Sequence, residues 1–304
     1  MAGAMAPGAG RYHRSMSPRT PLPVASAVLQ QLADIAHRHP SPRVRRLHVP
    51  RRAPDAGAHD AEFCAIELED GAFGLSYVLL GDTLAALLAA HGSAGAAPLA
   101  GADTMALAQR LADGSEVERA IALAAINALS DSVWRRVGYE PPPAGNSLGD
   151  VVLGPQDHLG MIGFFPPLVQ RVAEAGGRLS VVEMNPEMVA RQHERYPHIT
   201  IGLDRALLAP CNLVVGTSTM LLNHTLDTML AAAPNAQRFA VIGPSAGLWP
   251  DALFERGVTL LGGTRVTDPK AFAAAMAAGE SWSSATRKFA IAREGWPGWR
   301  ALTG

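Results

Sequence analysis

Four short runs in the second half of the chain carry the residue types from which a small-molecule site is built. They are Gly163-Phe164-Phe165-Pro166, Glu183-Met184-Asn185, Gly216-Thr217-Ser218-Thr219 and Gly243-Pro244-Ser245-Ala246-Gly247. Glycine lets a ligand approach the backbone closely. Ser and Thr hydroxyls donate to phosphate, carboxylate or ribose oxygens, and an acid closing a strand can hold the hydroxyls of a ribose. Singly, each of these residues is also an ordinary turn or cap residue. Together they follow successive apolar runs, which in a parallel sheet places them on one edge.

The first run departs from a dinucleotide-binding turn. Two phenylalanines follow Gly163 where further glycines would lie, and such rings obstruct a pyrophosphate. This argues against a nucleotide-dependent oxidoreductase and for an adenosine-type ligand without a pyrophosphate. Thr217, Ser218, Thr219, Pro244 and Ser245 then face the ligand's polar groups or a second substrate. Asn146 and Tyr77 are placed to close the site from the first half of the chain. His224, beside Asn223, is expected in the first turn of a helix, where the terminus would lower its pKa and suit it to act as a base or metal ligand; a surface histidine is the alternative.

A heavy-metal site would call on thiolates and imidazoles. Cys64 has the pattern of a core residue in a strand, and Cys211 precedes its strand, at the end of the sheet away from the crevice. His158 enters its strand at that same end. His193 and His198 flank Pro197 and share no helix face. A hard-ligand set of Glu183, Asn185 and Asn223 lacks a recognised spacing. Only two lysines occur, Lys270 and Lys288, and neither closes a strand, which disfavours Schiff-base chemistry.

The elements that must position these residues fall into two groups. Before about residue 140 the pattern reads as a helix (24–37), a meander of three strands (44–49, 62–68, 73–80) with a hairpin at Asp70-Gly71, and helices at 83–91 and 104–112. A longer helix follows, opened by the capping box Ser115-Glu116-Val117-Glu118. Glu140-Pro141-Pro142-Pro143-Ala144-Gly145 then breaks the pattern. Beyond it, strands at 159–163, 179–183, 199–201, 213–216, 239–243 and 258–261 alternate with helices at 167–175, 186–195, 220–232, 250–256 and 268–278. The expected fold class is α/β: an α+β domain (23–140), a linker (141–148) and a Rossmann-like, doubly wound parallel sheet (149–280), with a leader at 1–22 expected to be disordered and a tail at 281–304.

With 304 residues, 48% hydrophobic and 17% charged, the chain can bury ordinary cores, and its formal charge of −1 offers no electrostatic reason for nucleic acid or an anionic membrane. No apolar run approaches the roughly 18 residues of a membrane span. Two cysteines make no disulfide framework. A soluble, cytoplasmic protein with a small-molecule partner is expected, and a homo-oligomer is left open.

Two resemblances follow from these residues. Val181-Val182-Glu183-Met184-Asn185-Pro186-Glu187-Met188 looks like the acidic-strand segment of class I S-adenosylmethionine-dependent methyltransferases, in which the acid at the position of Glu183 holds the ribose. The chain from about 24 to 280 also resembles the "putative heavy-metal chelation" proteins, which join an enolase N-terminal-like domain to a Rossmann-like domain. That likeness is carried by Gly74-Leu75-Ser76-Tyr77, Glu118-Arg119-Ala120 through Asn127-Ala128, Gly163 to Leu168, Gly216 to Asp227, Gly243-Pro244-Ser245 and Gly262 to Pro269. The resemblances imply an enzyme that binds S-adenosylmethionine or a related adenosyl ligand and transfers a methyl or aminocarboxypropyl group, in metallophore or secondary-metabolite biosynthesis. Gly163, Phe164, Phe165, Pro166, Glu183, Met184 and Asn185 would hold the cofactor, and Tyr77, Asn223 and His224 would lie at the reacting centre. The alternative is a non-catalytic protein that holds a heavy metal or a metal chelate.

Overall fold

The computed structural model describes residues 23–50, 62–91, 99–144 and 152–304; Asn146 and the leader expected at 1–22 lie outside them. The first half consists of α1 (Val24–Ala36), β1 (Val44–His48), β2 (Phe63–Leu68), β3 (Phe73–Tyr77), α2 (Thr83–His91), α3 (Thr104–Gln109) and α4 (Glu116–Arg136). β1, β2 and β3 form an antiparallel meander in sequence order. Its second hairpin turns at Asp70-Gly71, where Asp70 Oδ1 accepts from Ala72 N at 3.1 Å and Gly71 holds φ +82°.

α4 begins with the expected capping box: Ser115 Oγ accepts from Glu118 N, and Glu118 Oε2 accepts from Ser115 N at 2.8 Å. It is buried from Ala120 to Trp134 on every face, including Asn127, Ser130, Asp131 and Ser132. Small residues make this close seating workable. A Cβ at Gly74 of β3 would stand 2.1 Å from Ala124 O and Ala128 N, so the strand lies on the helix backbone itself.

The second half adds β4 (His158–Ile162), α5 (Pro166–Glu174), β5 (Arg178–Val182), α6 (Pro186–Arg195), β6 (Thr200–Gly202), β7 (Leu213–Thr217), α7 (Leu226–Ala232), β8 (Arg238–Ile242), α8 (Asp251–Phe254), β9 (Leu260–Val266), α9 (Pro269–Ala278), β10 (Thr286–Ala292) and α10 (Trp299–Thr303). These strands form one seven-stranded sheet in the order β10-β9-β8-β7-β4-β5-β6, parallel except for β10. The chain starts at β4, builds β5 and β6 on one side, then returns to lay β7, β8 and β9 on the other. The connections therefore diverge beside β4, which is where open α/β sheets hold their ligands.

The sheet extends further than the sequence pattern indicates. β9 runs on through Gly262-Gly263, residues that weaken a strand signal, and β10 lies inside the segment expected to be a tail. Residues 142–144, expected as linker, lie along β10: Ala290 N donates to Pro142 O at 3.0 Å and Ala144 N to Lys288 O at 3.1 Å. α4 joins the two sheets into a continuous core. Trp134 packs against Trp249 and Phe289 at centroid distances of 5.8 and 5.7 Å, and Arg265 Nε binds the buried carboxylate of Asp131 at 2.6 Å.

Candidate ligand site

A cavity of about 370 Å³ opens at the carboxyl ends of β4, β5, β7 and β8, with its far wall supplied by the meander. Gly163 follows β4 with φ +79°, and a Cβ there would lie 3.3 Å from Thr217 Cγ2, across the divergence of β4 and β7. Phe164 and Phe165 follow as an aromatic wall, Phe164 resting 5.4 Å from the ring of Tyr196. Glu183 ends β5. Its Oε1 accepts from Met184 N at 2.7 Å and Asn185 N at 3.3 Å, which fixes the carboxylate at the cavity edge.

β7 supplies Thr217, whose Oγ1 accepts from both Thr219 N and Thr219 Oγ1, and a short 3₁₀ turn (Ser218–Leu221) follows. Ser218, Thr219, Asn223 and, after β8, Pro244 complete this side. From the meander comes Tyr77. Burial first, then the charges of Glu62 and Glu183, push its phenol up to about 12, so it is a neutral donor at physiological pH.

Of the residues expected to hold the ligand or lie at the reacting centre, eleven thus meet at one cavity: Tyr77, Gly163, Phe164, Phe165, Glu183, Met184, Thr217, Ser218, Thr219, Asn223 and Pro244. Four others do not line it. Pro166 is the first residue of α5, and Asn185 caps α6, its Oδ1 accepting from Glu187 N at 2.9 Å and Met188 N at 3.4 Å. Ser245 is fully buried, its Oγ accepting from Tyr77 N at 2.9 Å and its carbonyl from Asn127 Nδ2 at 2.8 Å; it clamps the meander to the sheet. His224 is not in a helix. Asn223 Oδ1 accepts from Thr225 N and Thr225 Oγ1, which interrupts the helix expected at 220–232 and leaves His224 at φ +58° between two shorter elements. Burial, with Arg119 nearby, lowers its pKa; a helix terminus is not the cause.

Sequence reasoning missed Glu62, Phe63, Leu80 and Thr225 in the lining. The signal for Phe63 was present, since the Asp70-Gly71 hairpin sets Phe63 opposite Tyr77.

The described residues do not fit a bare soft metal ion. Cys64 in β2 and Cys211 just ahead of β7 are both fully buried, and burial pushes their thiols up to about 12 and about 11. His158 is buried against Ser180 Oγ at 2.8 Å, at the opposite end of β4 from the cavity. Among the described residues no three His, Cys, Asp or Glu side chains come together to hold a metal, and no helix is long and apolar enough to cross a membrane.

Comparison with known proteins agrees with this architecture. A crystal structure of a protein with unknown function from Pyrococcus horikoshii superposes with a TM-score of 0.65 at 18% identity, covering 88% of this chain and 99% of that one. One from Desulfitobacterium hafniense gives 0.63 at 22% identity, with the same coverage of both chains. An uncharacterized protein of Methanocaldococcus jannaschii is 27% identical over 161 residues, 50% of this chain; the chain thus spans a little over half, 56%, of that relative's length. None of these likenesses brings S-adenosylmethionine, a transferase activity or an enolase assignment with it. Two family profiles bearing one description, "Putative heavy-metal chelation", match residues 61–130 and 148–294. By those two matches, and by sharing its fold with two solved structures from the same family, the chain belongs to the "putative heavy-metal chelation" family.

Proposed function

We propose that the protein binds a metal chelate, a metal already wrapped in an organic ligand, in the cavity between the meander and the parallel sheet, and that it binds no bare heavy-metal ion. One observation carries this reading. The cavity sits at the divergence of β4 and β7 and is lined by rings, hydroxyls and carboxylates, while both cysteines and His158 are buried elsewhere. Such a lining recognises an organic surface. The rings of Phe63, Tyr77, Phe164 and Phe165 bury its apolar faces, and the Thr217, Thr219 and Tyr77 hydroxyls with the Asn223 amide meet its polar edges. The family description supports the metal, and the donor set supports its arriving already coordinated.

Calorimetry on the full chain tests this with a divalent metal ion alone and with the same ion preassembled on a nitrogen-donor chelator. The chelate is expected to bind one to one and the bare ion to give no stoichiometric heat. Thr219→Val, which deletes one hydroxyl without changing shape, is expected to weaken the chelate about fivefold. Stoichiometric binding of the bare ion that disappears in Cys64→Ser or Cys211→Ser would overturn the reading.

A further inference from the structure

We infer that the chelate taken by this cavity carries a net positive charge, which makes it an amine- or imine-type complex and sets aside a polycarboxylate one. This rests on the chelate-binding reading above and specifies its ligand class. The cavity edge carries the carboxylate of Glu183, and among the described residues that line the cavity there is no Lys, Arg or His. Glu183 is held in place by main-chain donors from Met184 and Asn185 and forms no ion pair with any described residue, so its charge is directed to the cavity edge.

The walls reinforce the same sign. Phe63 and Tyr77 pack edge to face at 5.6 Å on one side, and Phe164 and Phe165 form the other. Aromatic faces attract cations through their quadrupoles, more strongly where water is excluded. A polycarboxylate chelate would bring further negative charge toward Glu183 with no cationic side chain in the described lining to receive it, a juxtaposition that disfavours binding. The raised pKa of Tyr77, to which Glu62 and Glu183 contribute after burial, agrees with a negative potential inside the cavity.

Two substitution-inert cobalt(III) complexes separate charge from metal identity: tris(ethylenediamine)cobalt(III), which is cationic, and ethylenediaminetetraacetatocobalt(III), which is anionic. Each is titrated into the full chain and into Glu183→Gln, whose thermal unfolding midpoint is recorded as a folding control. The cationic complex is expected to bind, to weaken about fivefold to tenfold in Glu183→Gln with the midpoint unchanged, and to weaken further as salt is added. Binding of the anionic complex as tight as the cationic one, or a cationic affinity indifferent to Glu183→Gln, would overturn the charge assignment while leaving chelate binding standing. If neither complex binds, the chelate reading fails and this inference fails with it.

Discussion

The two edges of the seven-stranded sheet are built from similar residue types and put them to opposite uses. At the amino edge the polar groups bind one another. Asn212 Oδ1 accepts from His158 N at 2.7 Å, Asn212 Nδ2 donates to Asp157 Oδ1 at 2.8 Å, and His158 Nε2 meets Ser180 Oγ. The hollow left there, beside Leu213, Arg238 and Thr259, measures about 40 Å³. At the carboxyl edge, Gly163, Glu183, Thr217 and Thr219 surround about 370 Å³. Composition alone does not separate a structural edge from a binding edge. What separates them is the space the polar groups leave, about 40 Å³ at the amino edge and about 370 Å³ at the carboxyl edge.

Substitutions at the two edges should therefore divide stability from binding. Gly163→Val puts a β-branched side chain at a positive φ and against Thr217. It is expected to cost about 1–3 kcal/mol of unfolding free energy in denaturant titrations and to lower chelate affinity tenfold or more. Asn212→Ala strips the partner from His158 N. The expected cost is about 1–3 kcal/mol with chelate affinity unchanged; an affinity loss there would show that the edges are not independent.

The smallest effect concerns pH. Burial, then the charge of Arg178, lowers the pKa of His158 from its ordinary 6.5. The folded state prefers the neutral imidazole, so its contribution to stability is complete above about pH 6.5 and is lost as the pH falls through the lower folded value. His48 and His224 are lowered chiefly by burial as well and act in the same direction. The unfolding midpoint should hold steady near about pH 7 and drop toward about pH 5, with a shallower drop in His158→Gln.

The strand ends were legible because Gly, Pro and hydroxyl residues punctuate each apolar run, and eleven residues taken from those ends and the meander do line the cavity. Asn185, Ser245 and His224 were misplaced for one physical reason. A short polar side chain that faces a ligand looks the same in sequence as one that caps a helix, binds a neighbouring main chain or breaks a turn. Glu62 and Phe63 were missed because they reach the cavity through packing of the meander on the sheet, a contact set by the close seating of Gly74 on α4. The all-round burial of α4 was likewise hidden, since the polar Asn127, Ser130, Asp131 and Ser132 are buried with partners as separate in sequence as Leu75, Ser245, Asp70 and Arg265, or within the helix itself at Ile126.

Crystals soaked in a chelate of an anomalously scattering metal test the central claim most directly. An anomalous difference peak inside the cavity bounded by Gly163, Tyr77, Glu183 and Thr219 is predicted, with the organic ligand visible around it. A peak at Cys64, at Cys211 or at the His158 edge, with the cavity empty, would contradict it.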